Sequence, residues 1–262
     1  MESHTPKSVL SIPVAIIVAG ALIAVSVIYT SGPRNAVPKA DTNTNNVTML
    51  PITEKDHILG NPNAPIVIVE YSDTECPFCK VFHSTMHRVI DKYGKDGKVA
   101  WVYRHLPITG LHPRAWNEAI ASECAAANGG GNAAFWKYID RVYEITQSNN
   151  KLEPSKLLDI AREQSLDMTK FTTCLDTKAT QEKVQTEYDD GVAISKGRPA
   201  TPTSIMILQE RPTTDQIAAL KNIVSQAGLD DLITIPSDST KIIVRGAFPY
   251  EVLSLIIDLL LQ

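Results

Sequence analysis

"APIVIVEYSDTECPFCKVF", Ala64 to Phe82, joins a β-branched apolar run to two cysteines with two residues between them. Near-continuous Ile and Val is the pattern of a central strand covered on both faces. Beyond the cysteines, Phe78, Phe82, Met86, Val89, Ile90 and Tyr93 recur at helical spacing, with Gly94 as the expected stop. "KVAWVY" (98–103) reads as a second strand. A strand, a helix and a strand joined over this length predict a parallel pair with a right-handed crossover.

From Pro113 to about Lys196 the apolar spacing is helical throughout. Helices are expected over 113–128, 133–146, 155–164, 168–174 and 178–196, broken by Gly129-Gly130-Gly131 and Pro154. Strand character returns in "TSIMIL" (203–208) and "KIIVRG" (241–246). A last apolar helix, Tyr250 to Leu261, is too short to cross a bilayer and should pack on the sheet. Between those strands, 209–240 carries an extra amphipathic helix, "TTDQIAALKNIVSQAG". The order β-α-β, a helical block, then β-β-α predicts an α/β, thioredoxin-like fold with a helical insert at about 106–197.

The N-terminal part reads differently. No charged residue occurs from Ser8 to Pro33, and Val9 to Thr30 is an apolar run of 22 residues. About 20 such residues cross a bilayer as a helix, and a signal peptide has a shorter apolar core. Residues 1–30 are therefore expected to be a short tail and an uncleaved signal-anchor. Lys7 flanks one side and Arg34 and Lys39 the other, so charge alone leaves the orientation open. Residues 31–57 are polar and aperiodic, as in a flexible linker, leaving 58–262 as the folded domain. A net charge of −4, with no basic stripe, excludes nucleic acid as a partner.

Cys76 and Cys79 admit three readings. Zinc shared with His83 and His87 fails on length: Cys76 and His87 are 11 residues apart, roughly 16 Å along one helix. Zinc bonds are only about 2.0–2.3 Å long, and no second CxxC follows. The two histidines are expected on a solvated helix face. A passive staple closing so short a loop adds little stability and is easily reduced. Redox exchange fits the local sequence. Pro77 suits the first helical position, which sets Cys76 at the helix N-terminus, where free N–H groups stabilise a thiolate. Cys79, one turn on, lies on the same face.

"DHILGNPNAPIVIVEYSDTECPFCKVF", "YRHLPITGLHP", "CAAANGGGNAAFWKYID", "FTTCLDT", "ATPT" and "GAFPYEVLSLIID" resemble, in the same order, the membrane-anchored or secreted DsbA-like thiol:disulfide oxidoreductases of bacteria. The resemblance covers 56–262 apart from 209–240. It implies that Cys76 is an exposed nucleophile and Cys79 the resolving cysteine. Thr201-Pro202 matches the loop where that family keeps a cis-proline, whose backbone can pair with an extended substrate. Glu70 matches a buried acid that takes the proton Cys79 releases. Asp73 and Glu75 are expected at the surface, and His105 and His112 in structural roles. Cys124 and Cys174 are expected to form a structural disulfide within the insert; two free buried thiols are the alternative.

Two departures stand out: Ala200 where relatives often carry Gly, and 209–240 where a short hairpin is usual. The resemblance implies a monomer without bound cofactor or metal, acting outside the cytoplasm on cysteine-containing exported polypeptides. A membrane reoxidase of the DsbB or VKOR kind would serve as its partner. A disulfide isomerase or reductase, or a non-catalytic binding protein on a thioredoxin frame, are the alternatives. An isomerase would need an N-terminal dimerisation domain, for which 31–57 is too short and too polar.

Overall fold

The computed structural model describes residues 49–236 and 240–262. The expected anchor, Val9 to Thr30, lies outside these residues. Among the described residues no helix is long and apolar enough to cross a membrane.

Six strands form one sheet. They are β1 (His57–Leu59), β2 (Ile66–Ser72), β3 (Val99–His105), β4 (Thr203–Leu208), β5 (Ile233–Thr234) and β6 (Lys241–Arg245). Their order is β1-β3-β2-β4-β6-β5, so the β-branched run Ile66–Val69 occupies an interior position as its composition requires. Strands β2 and β3 are parallel, joined through α1 (Pro77–Val89), and β4 runs antiparallel to β2. Helix α1 does not stop at a glycine cap. It continues through a π-helical turn, Ile90–Gly94, and the left-handed residue comes later, at Gly97.

Alternation along β2 separates two cores. Ile66 and Ile68 face Phe82, Met86 and Val89 of α1 together with Leu253, Ile256 and Ile257 of the last helix, α8 (Tyr250–Leu260). Val67, Val69 and Tyr71 face Leu106, Ile194 and Ile205 on the opposite side.

The insert supplies α2 (Ala115–Gly129), α3 (Asn132–Ile145), α4 (Ser155–Glu163), α5 (Met168–Leu175) and α6 (Lys178–Ile194). Helices α2 and α3 are separated by Gly130 and Gly131, both at positive φ (104° and 75°), where a side chain would be strained. Cys124 of α2 and Cys174 of α5 are disulfide-bonded across 50 residues, inside a third apolar core that includes Ile120, Tyr138, Ile160 and Phe171. Helix α6 lies close on the sheet at Gly191, where a Cβ would come within 3.0 Å of Tyr71 and Leu106.

One expectation about segments changes. The folded unit begins before residue 58: Met49 and Ile52 pack on the second face of the sheet, and Asp190 accepts the Leu50 N–H. Arg104, buried in β3, holds this stretch by donating to the carbonyls of Leu50 and Pro51 and to Asp56, while pairing with Asp190 at 3.0 Å. A buried guanidinium needs such a set of acceptors, which composition alone does not reveal. The extra segment after β4 completes the sheet edge. Its helix α7 (Thr214–Gln226) opens on a capping box between Thr213 and Gln216 and buries Leu220 and Val224 beside α8. Strand β5 then pairs with β6.

Candidate redox site

Cys76 ends the loop after β2 with extended backbone angles (φ −76°, ψ 122°), and Pro77 opens α1. The carbonyl of Cys76 accepts the Lys80 N–H, which fixes it as the helix cap. Both cysteines carry free thiols. Their environments push them apart. The Cys76 thiol is lowered to about 6, chiefly by the Cys79 thiol donating to it, with Thr201 and the N–H groups of Cys79 and Phe78 adding to the effect against the cost of burial. Burial, and the charge and hydrogen bond of Cys76, push the Cys79 thiol well up.

The loop at Thr201-Pro202 closes over Cys76. Its peptide bond is cis, and the Thr201 carbonyl accepts from the Cys76 thiol at 3.4 Å. Pro202 is anchored by the Gly246 N–H donating to its carbonyl at 2.8 Å. This cover corrects one expectation: Cys76 is buried, at 5% exposure, although Cys79 is deeper still at 0%. The apolar surface beside the pair is nonetheless open, with Phe78 65% and Val81 62% exposed on the first turns of α1.

Glu70 lies beneath the cysteines on the same face of β2 as Ile66 and Ile68, between Tyr103 and Ser204 of the neighbouring strands. It is fully buried. Burial raises its carboxyl to about 7, although Ser72 donates to one oxygen at 2.6 Å and Trp101 Nε1 to the other at 2.9 Å. The Ser72 hydroxyl also meets the Tyr143 hydroxyl at 2.9 Å, and the Asp73 N–H points at the Cys79 sulfur at 3.5 Å. A polar relay thus runs from Glu70 through Ser72 to the wall of the Cys79 site.

The acidic residues before Cys76 do not lie at the surface as expected; Asp73 and Glu75 are buried. Asp73 folds back to accept the N–H groups of Glu75 and Ile108 and to pair with His112 Nδ1 at 2.9 Å. That contact raises the His112 pKa, and the charge of a Cys76 thiolate adds to the rise. Glu75 accepts from the Asn150 N–H and faces Glu118 of α2, whose carboxyl is raised to about 9 by burial and by that neighbour. Glu75 Oε1 has no hydrogen-bond partner among the described residues.

His83 and His87 likewise correct their expected solvated face. His83 is buried and stacked on Tyr143 (ring centroids 4.3 Å apart), and both rings meet Asp140 of α3. His105 is buried against Glu123, which also takes His57 and Lys183. Sequence reasoning missed Ser72, Trp101, Glu118 and Asp140 as members of the site's surroundings, and expected only a structural role for His112. The only local hint was the acid–x–acid step, Asp73 to Glu75, immediately before Cys76.

Residues 52–225 match the thioredoxin family. The chain belongs to that family. Among solved structures it is similar to DsbA2 of Pseudomonas aeruginosa, at 25% identity and a TM-score of 0.55 over 80% of this chain and 96% of that one. It is similar in fold to Wolbachia pipientis α-DsbA1, with a TM-score of 0.59 at 21% identity over 80% and 92% of the two chains. The chain is a DsbA-like oxidoreductase of the thioredoxin fold. Curated relatives include the Na(+)/H(+) antiporter NhaA 1 of Mycobacterium sp. (strain KMS), 38% identical over 118 residues, and NhaA of Herminiimonas arsenicoxydans, 36% over 150. The alignments cover 45% and 57% of this chain but only 18% and 22% of those antiporters. The chain thus spans about a fifth of their length, and antiport is said of those proteins.

Proposed function

We propose that this chain is an extracytoplasmic thiol:disulfide oxidoreductase that introduces disulfides into exported proteins through Cys76 and Cys79. The observation that carries this reading is the asymmetry of the pair, with the Cys76 thiol lowered to about 6 and the Cys79 thiol raised. In the oxidised enzyme a client thiolate attacks the Cys76 sulfur. A client–Cys76 disulfide forms as the Cys76–Cys79 bond breaks, and Cys79 leaves with the electron pair. Its thiolate is disfavoured by burial and takes a proton, with Glu70 supplying it by way of Ser72. A second client thiolate then attacks the client sulfur of the mixed disulfide and expels Cys76. The stabilised Cys76 thiolate is a good leaving group, so the step runs toward a client disulfide. The client loses two electrons to the Cys76–Cys79 pair.

Thr201 and Pro202 hold the backbone that would line up an extended client beside Cys76, and exposed Phe78 and Val81 suit a client that is still unfolded. Recovery of the disulfide needs an electron acceptor, which we assign to a membrane reoxidase of the DsbB or VKOR kind. The apolar run Val9 to Thr30 would hold the domain at the membrane with the N-terminus inside, since two cysteine pairs make sense where disulfides persist. The direct test mixes the oxidised full chain with a reduced, unfolded client. One client disulfide should appear for each Cys76–Cys79 disulfide consumed; a client left fully reduced would refute the oxidase.

A further inference from the structure

We infer that His83, His87 and Asp140 form a binding site for a divalent cation of the zinc class, one helical turn below the redox pair. The two histidines are four residues apart on α1 and so share a face, and Asp140 comes from α3 opposite. His83 Nε2 and His87 Nε2 each lie 2.8 Å from the same oxygen, Asp140 Oδ1, and 3.2 Å from each other. Ligand atoms around tetrahedral zinc stand about 3.3 Å apart, given bonds of about 2.0–2.1 Å. An ion just outside the plane of these three atoms would reach them all with shifts of a few tenths of an ångström. Here both rings hydrogen-bond to Asp140 Oδ1; with their Nε2 atoms unprotonated, three lone pairs would converge on one point and a cation would satisfy them together.

The surroundings favour such an ion. His83 is buried and clamped between rings, stacked on Tyr143 and edge-on to Trp101, so its Nε2 is aimed rather than free to turn. Its Nδ1 has no hydrogen-bond partner among the described residues, so the ring proton that moves there when Nε2 takes an ion is unpaired, a cost that the metal bonds have to exceed. The trio opens into a cavity of about 340 Å³ bordered by Ser84 and Glu144, which leaves room for water as a further ligand, the Glu144 carboxyl being paired with Arg141. The neighbouring cation, Lys80, also lines this cavity, with its ammonium engaged in donating to the carbonyls of Glu144 and Thr146. Two imidazoles and a carboxylate with an open position suit zinc and its transition-metal neighbours better than the oxygen-preferring magnesium or calcium. This site is separate from the cysteines: His83 and His87 point to Asp140, and no ion placed there would touch Cys76 or Cys79 at once with them along one helix.

The test titrates zinc chloride into the full chain with Cys76–Cys79 oxidised, so that free thiols cannot contribute, and follows heat and bound metal. One zinc per chain is expected. His87→Ala and Asp140→Asn change half-exposed side chains, 36% and 43% accessible, so the fold should persist, which far-UV circular dichroism checks. Loss of an outer-sphere contact alone costs about 10–100-fold in metal affinity, so each substitution should weaken zinc at least about tenfold. Cobalt in place of zinc should give visible absorption of a four-coordinate nitrogen and oxygen site, lost in both variants. No zinc uptake, or uptake unchanged in both folded variants, would overturn the proposal. Either result leaves the client-oxidation assay untouched, so the two readings fail separately.

Discussion

Reduction of Cys76–Cys79 should stabilise the native protein increasingly as pH rises from 6 to 8. The perturbation is the redox state, and its magnitude follows from the Cys76 thiol, lowered from 9.0 to about 6 in the folded chain. A depressed pKa stabilises the fold fully above the ordinary value and loses that contribution as pH falls through the folded one. Linkage then gives the reduced form about 0.4 kcal/mol at pH 6, about 1.4 at pH 7 and about 2.7 at pH 8. The oxidised form has no thiolate there and gains nothing. Cys79, whose pKa is raised, changes the balance only above its ordinary value, whereas Glu70 titrates near 7 and is itself raised by the Cys76 charge, so Glu70→Gln run in parallel separates its share from that of Cys76. The gap between the two forms should therefore shift by about 2.3 kcal/mol toward the reduced one. For a two-electron couple this corresponds to about 50 mV in the oxidising direction relative to an unstructured dithiol. Urea unfolding of both forms at pH 6, 7 and 8, with Cys124–Cys174 kept intact and verified by mass, measures it. A gap that stays flat or moves toward the oxidised form would refute the reasoning.

Glu70→Gln should be more stable than the parent at pH 8. A raised acid favours the fold below its ordinary value and loses that as pH passes about 7, a loss of about 3 kcal/mol by pH 8 that an amide avoids. The same variant should resolve client mixed disulfides more slowly in quenched-flow trapping. Cys124→Ala with Cys174→Ala should lower the unfolding free energy by about 4 kcal/mol in the chain-entropy description of a 50-residue loop, read by urea denaturation. His112→Ala should raise the Cys76 pKa, because Asp73 holds the imidazole as a positive neighbour; absorbance of the thiolate near 240 nm follows it.

Much of the fold was legible because its signals are local. The Ile66–Val69 run, the helical spacing after Cys79 and the late strand at Thr203–Leu208 all follow from side-chain periodicity within one element. Strands β1 and β5, of three and two residues, are too short to show a period and exist through pairing with β3 and β6. Cys76 and Cys79 were legible through their spacing, and Glu70 through the family resemblance. Asp73, Glu75 and the two histidines of α1 were misread as solvated because charged residues usually are. What buries them comes from far along the chain. His112, Glu118 and Asn150 cover the loop before Cys76, and Asp140 of α3 meets α1. Only the helical insert, folded over the sheet, brings those partners in.

The most direct test of the central claim is trapping in cells. Cys79→Ala leaves the Cys76 sulfur able to join a client thiol but removes the thiol that would release it. That variant should accumulate mixed disulfides with exported proteins, visible as reducible high-mass species on non-reducing gels, while Cys76→Ala should accumulate none. Equal trapping by the two variants, or trapping by Cys76→Ala alone, would contradict the assignment of Cys76 as the exchanging sulfur.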